Sequence, residues 1–151
     1  MLVKTTIVHQ KTVVIMALDP NGRALMTRDM ELIRRIILAI QERKTADPQV
    51  LEMPDVDPAV LTRHLEMLDQ AGFIDAEKSV PFEKHRPITF MVKDLTWQGH
   101  DFAAAIENDT VWSTIKEKLS PKELMTVPLS VLTSLGMGVL EQYLKSKLGL
   151  H

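Results

Sequence analysis

The sequence predicts an α+β fold in the order helix, short strand, helix, β-hairpin, with additional helices toward the C-terminus. Three observations predict it. Met30, Ile33, Ile36, Ile37 and Ile40 recur at the helical period. About twenty residues of strand and turn character separate a helix that ends at Ala71-Gly72 from one entered through Leu95-Thr96. From Leu129 to Leu148 the period is helical again, with Leu132, Leu135, Val139, Leu140, Tyr143 and Leu144 apolar.

At 151 residues the chain is long enough to bury a core as one domain of ordinary size. Its parts are an N-terminal extension (1–26), a core (27–107) and a C-terminal helical region (108–151). Hydrophobic content of 45% with 25% charged residues is globular, and no apolar run approaches the roughly 20 residues needed to span a bilayer. No membrane partner is expected. Residues 6–18 are interrupted by His9, Gln10 and Lys11 and no small-residue cleavage site follows, so they do not read as a secretory signal. The absence of cysteine removes disulfides, thiol nucleophiles and thiolate metal sites, and points to a reducing cytoplasm.

Taken in order, Thr5 to Val8 and Thr12 to Ile15 have β-branched strand character, and Asp19-Pro20-Asn21-Gly22 is a turn. Two readings stand for this extension: a strand pair, or residues upstream of a translation start at Met26. The first capped helix runs from Asp29 to Arg43, with Thr27 as its N-cap and Asp29 and Glu31 favouring the positive end of the dipole. Gln49 to Met53 is a short strand. Asp57-Pro58, a capping carboxylate before a proline at the first helical position, opens a helix to Ala71 with Leu61, Leu65 and Leu68 inward.

Gly72 is placed as a left-handed C-cap. Phe73 to Ser79 and Ile88 to Lys93 form the hairpin arms, with Ile88, Phe90 and Val92 inward and residues 80–87 at the tip. Thr96 caps the next helix, whose apolar members are Phe102, Ala105 and Ile106. Asp109 opens a fourth, with Trp112, Ile115 and Leu119 on one side. Ser120-Pro121-Lys122-Glu123 is a capping box, and Pro128 separates its short helix from the final one.

Arg63 to Ile74 resembles the helix that ends in Ala-Gly-hydrophobic-Ile in winged regulators. Leu95-Thr96-Trp97-Gln98-Gly99-His100-Asp101-Phe102 resembles the entry into the helix that follows their wing. The resemblance implies a minimal winged helix. Between the first helix and the Asp57 helix only about a dozen residues remain, with two prolines, so the middle helix of a helix-turn-helix has no room. The chain also resembles a bacterial and phage family, the domain of unknown function 2513. The likeness rests on Arg28-Asp29-Met30-Glu31-Leu32-Ile33-Arg34, His64 to Ile74, Leu95 to Phe102, Asp109-Thr110-Val111-Trp112 and Lys147-Leu148-Gly149-Leu150. It implies a winged-helix-like architecture and no particular chemistry.

Eighteen Lys and Arg against twenty Asp and Glu leave a net charge of −2, a poor footprint for binding phosphates. The stretch 28–94 is the most acidic, with ten cations and thirteen carboxylates. On the Asp57 helix the outward residues include Arg63, Glu66 and Asp69, and two carboxylates where a reader of bases carries donors read as a solvated face. At the hairpin tip Lys84, His85 and Arg86 cluster, diluted by Glu77 and Glu83. His100-Asp101 lacks the further ligands of a metal-dependent phosphohydrolase, and no nucleophile elbow, phosphate loop or zincin helix occurs. No enzyme, metal or cofactor is expected. His64 reads as a flank of the core, and Trp97 and Trp112 read as seals of a helix junction.

The leading reading is a non-enzymatic adaptor or transcription-associated module with weak, phosphate-directed contacts to duplex DNA through Arg63, Lys84, His85 and Arg86. The alternative is a protein-interaction module that never touches nucleic acid. A homodimer is expected through the final helix, at Leu132, Leu135, Val139, Leu140, Tyr143 and Leu144. A continuous positive stripe from Arg63 to Arg86 would support the first reading, and a neutral or acidic surface the second.

Overall fold

The computed structural model describes residues 4–9, 12–18 and 24–150, with side chains from residue 27 to residue 150. Its first elements are β1 (Lys4–His9), β2 (Thr12–Leu18) and β3 (Ala24–Met26). They form an antiparallel meander in which Ile7 opposes Val14 and Met16 opposes Met26. The β-branched runs thus pair, and residues 24–26 add a third strand that composition did not single out. The turn expected at residues 19–22 lies outside the described residues.

Helix α1 (Met30–Gln41) starts one cap later than expected. Asp29, and not Thr27, is its N-cap: Asp29 Oδ1 accepts from the backbone N–H groups of Glu31 and Leu32, at 3.0 and 3.2 Å. A carboxylate directly before the first helical residue reaches the exposed N–H groups of the first turn, which Thr27 is too far back to do. Met30, Ile33, Ile36, Ile37 and Ile40 are buried as predicted, and so is Leu32. The helix is therefore covered over a wider arc than one apolar stripe, because the later helix at Trp97–Ile106 and the strand at Thr89–Leu95 both pack on it.

Among the described residues no helix lies between α1 and α2. The connector carries β4 (Gln49–Val50), shorter than the predicted strand and paired antiparallel to β6 (Thr89–Leu95). Two arginines of the α1 region hold it. Arg35 Nη2 reaches both carboxylate oxygens of Asp55 at 2.9 and 2.8 Å, and Arg43 donates to the Asp47 carbonyl at 3.2 Å and to the Val92 carbonyl of the neighbouring strand at 2.8 Å. The hydrogen bond from Arg35 keeps the Asp55 carboxyl below its ordinary range.

Helix α2 (Pro58–Gln70) opens on the Asp57 cap, which accepts from Ala59 and Val60. It closes in a Schellman arrangement: Phe73 N–H reaches Leu68 O and Gly72 N–H reaches Asp69 O, with Gly72 at φ +77°. Strand β5 (Ile74–Ser79) then pairs with β6, and the sheet order is β4-β6-β5. A bulge after Asp75 shifts the register, so Phe90 and Val92 face the core and Leu95 rejoins it.

Thr96 caps α3 (Trp97–Ile106) and ties it to the preceding turn: its hydroxyl donates to Gly72 O and its N–H to Phe73 O. Gly99 sits so close that a Cβ there would lie 2.0 Å from Phe73 O. The Leu95-to-Phe102 block is thus a device for closing α3 onto the Gly72 turn. Helix α4 (Asp109–Lys118) opens at Asp109 as expected, with Asn108 as its cap: the Asn108 side chain accepts from Thr110 and Val111. The Ser120/Glu123 capping box starts α5 (Pro121–Thr126). Helix α6 (Leu129–Lys147) docks on α3 and α4 through Leu129, Leu132 and Gly136, where a Cβ would lie 3.0 Å from Ala105 Cβ.

A single cluster runs from Met30 through Phe73, Phe90, Phe102 and Trp112 to Leu132. No described helix is long and apolar enough to cross a membrane.

Candidate functional site

Helix α2 and the β5–β6 hairpin bring Arg63, Glu66 and Lys78 together, while Glu77, the strand neighbour of Lys78, meets Lys93 on the other face of the hairpin. Glu66 takes a hydrogen bond from Arg63 (3.1 Å) and another from Lys78 (3.2 Å). Lys78 first and Arg63 second hold the Glu66 carboxyl below its ordinary range. On that other face, Lys93 meets Glu77 at 2.9 Å, and that carboxylate raises the lysine above its usual value. At the tip Arg86 meets Glu83 at 3.1 Å. Arg63 and Arg86 do not form one positive stripe, because a carboxylate stands against each. Lys84 and His85 are exposed between them and form no ion pair among the described residues. Phe82, at the same tip, is fully exposed.

Between α2 and the start of β6 runs a groove of about 800 Å³. Leu61, Leu65 and Phe90 form its floor, Val50, Pro58 and Ile88 its walls, and Arg63 and Glu66 its rim. This is a mainly apolar surface, unlike a face built to meet phosphates.

His64 lies deeper than a flank of the core: 1% of it is exposed. Its Nδ1 donates to Val60 O at 2.8 Å, and Nε2 accepts the Asp29 backbone N–H at 2.9 Å. With one nitrogen donating and the other accepting, the ring is neutral, and burial lowers its pKa from the ordinary histidine value. The role is structural, joining α2 to the start of α1.

The two tryptophans differ. Trp112 is buried, donates to Glu31 Oε1 at 3.2 Å, and lies between Arg34 and Lys116, 5.8 and 5.7 Å from its ring. Trp97, expected to seal the same junction, is 86% exposed. It is the first residue of α3, and the helical period that sends Phe102, Ala103 and Ile106 inward turns it outward. The helical period alone carries this signal in the sequence, against the usual burial of tryptophan.

On α6 the expected interface divides. Leu132 is 2% exposed and belongs to the core of its own chain, so it offers nothing to a second copy. Val139, Leu140 and Tyr143 are half-buried against that core. Leu135 and Leu144 are exposed, as are Val131, Met137 and Leu148. Inward packing consumed part of the stripe because α6 is a core helix as well as a surface one.

His100 is exposed and its Nε2 stands 3.8 Å from Asp94 Oδ1, while Asp101 faces a shallow depression along α6. His100 and Asp101 do not converge. Among the described residues no group of three or more His, Asp or Glu side chains could hold a metal ion.

Compared with known proteins, residues 27–124 match the family model described as "Hypothetical protein (DUF2513)". A protein of Haemophilus influenzae, described as "Uncharacterized protein", is 32% identical over 103 residues, covering 66% of this chain and 83% of the relative. No solved structure matches.

Proposed function

We propose that this chain, which belongs to the DUF2513 family, is a non-enzymatic protein-interaction module built on a minimal winged-helix frame. The frame is the order α1, β4, α2, β5, β6, α3, with α2 in the place of a reading helix and the hairpin in the place of the wing. One observation carries the reading. Three carboxylates of α2 and the hairpin are engaged by cations: Glu66 by Arg63 and Lys78, Glu77 by Lys93, Glu83 by Arg86. Phosphate binding would have to break these pairs and leave the carboxylates facing DNA, so the electrostatic gain that drives such binding is largely cancelled. Exposed Leu135 and Leu144 on α6, with Leu148 just after it, support self-association as part of this role.

The second reading, a transcription-associated module with phosphate contacts, is supported by Lys84 and His85 at the hairpin tip. Retention of mixed-sequence duplex DNA at low salt separates the two. The interaction module gives none, and salt-sensitive retention lost in the Lys84→Ala/Arg86→Ala double variant would replace it with the second reading.

A further inference from the structure

Trp97 is a large apolar side chain left in water, and the contacts that start and seat α3 are made by other residues. Thr96 caps the helix, Gly99 makes the close approach, and Phe102 and Ile106 fill the core. Any polar residue would serve at position 97 as well. Large aromatic rings left in water at a helix start are the kind of anchor that protein interfaces bury.

The surroundings of the ring state what would cover it. Trp97 and His100 stand side by side, ring centroids 6.4 Å apart, and border a shallow cleft floored by Ile74 and Leu95. Asp75 and Asp94 also line it. These two residues are direct partners across β5 and β6, so two carboxylates face each other on one strand pair, an arrangement that repels unless a cation lies near. Asp94 Oδ1 accepts the Leu95 N–H at 2.7 Å and stands near His100. Lys93 pairs with Glu77 and also feels the Asp75 carboxylate, so one lysine stands against Asp75, Asp94 and Glu77, and among the described residues neither aspartate forms a direct ion pair with a lysine or arginine. An indole face beside two carboxylates, over an apolar floor, is complementary to a guanidinium or ammonium group on an apolar stem.

We infer that the Trp97 cleft is the docking site for a basic segment of a protein partner, with one arginine or lysine side chain laid across Trp97 and its charge between Asp75 and Asp94. Arginine is favoured, because its flat guanidinium stacks on indole and forks onto carboxylates at once. This inference rests on the interaction-module reading and adds the chemistry of the partner. It uses none of the α6 surface.

The test is titration of the full chain, labelled for amide NMR, with acetyl-Gly-Arg-Gly-Arg-Gly-amide, its lysine counterpart and its glutamate counterpart. The indole N–H of Trp97 and the amides of residues 74–75 and 94–100 should move with the arginine peptide, less with lysine and not with glutamate. Trp97→Ala and Asp94→Asn should each weaken binding about tenfold. Both positions are accessible, and an unchanged melting temperature shows that the fold is intact. No movement at millimolar arginine peptide, or equal movement in the Trp97→Ala variant, overturns the inference. If the same signals shift with protein concentration alone, the occupant is a second copy and the inference fails in that way. Failure here leaves the interaction-module reading standing unless duplex DNA is also retained.

Discussion

His64 Nε2 accepts the backbone N–H of Asp29 at 2.9 Å, so an imidazole on α2 caps the chain where α1 begins. The bond requires the neutral ring. Because burial lowers the folded-state pKa below the ordinary value of 6.5, the unfolded chain takes up a proton before the folded one does. Stability is then full above about pH 6.5 and falls as pH drops from there toward the lowered folded value, with a slope of at most about 1.4 kcal/mol per pH unit. Denaturant melts between pH 8 and pH 5 check this. His64→Leu should cost about 1–3 kcal/mol at pH 8, by leaving the Asp29 N–H unpaired, and should flatten the slope below pH 6.5. Glu66 and Asp55 have lowered carboxyl pKa values, so their contribution is lost only at more acid pH, below their unfolded values near 4.

Gly99→Ala should be among the most damaging single substitutions outside the aliphatic core. Its Cβ would lie 2.0 Å from the Phe73 carbonyl oxygen, and the obstacle is backbone that cannot swing aside. A loss of about 2–4 kcal/mol is expected in thermal or urea melts, because α3 must move off the Gly72 turn. Gly72→Ala, strained by φ +77° but less crowded, should cost about 1–2 kcal/mol.

Trp112 and Trp97 make a matched pair. Trp112→Ala removes a buried ring, its hydrogen bond to Glu31 and the flanking cations, and should cost about 3–5 kcal/mol. Trp97→Ala should be nearly neutral for stability, within about 0.5 kcal/mol. Comparable losses for both in the same melt would show that Trp97 is packed.

The contrast marks where the sequence was legible. Element order followed from caps and periods that act locally: Asp57-Pro58, Thr96, the Ser120/Glu123 box and the alternation of Phe90 and Val92. What depends on a neighbour distant in the chain was missed. Asp29 outcompetes Thr27 by position, but its N–H is completed by His64, 35 residues away. Leu32 and Leu132 are buried because helices far along the chain cover them. Of the expected DNA contacts, the sequence showed the cations and the acidic balance. It could not show that Glu66 would sit between Arg63 and Lys78, because Lys78 comes from another element.

Self-association has its own measurement. Leu135→Glu with Leu144→Glu changes only exposed positions of α6, whereas Leu132→Ala opens the core and should cost about 2–5 kcal/mol. Light scattering at tens of micromolar protein should report a dimer for the native chain and a folded monomer for the double variant. A native monomer would remove self-association from the proposed role.

The most direct test of the central claim, that paired carboxylates cancel the positive surface of α2 and the hairpin, is retention of mixed-sequence duplex DNA at about 50 and 200 mM salt. It is measured for the native chain and for a Glu66→Gln/Glu77→Gln/Glu83→Gln variant. The native chain is predicted to retain no duplex at either salt. The variant, with Arg63, Lys78, Lys93 and Arg86 released, should gain weak retention that disappears at the higher salt. Clear retention by the native chain at low salt, or a variant that gains none, would contradict the account.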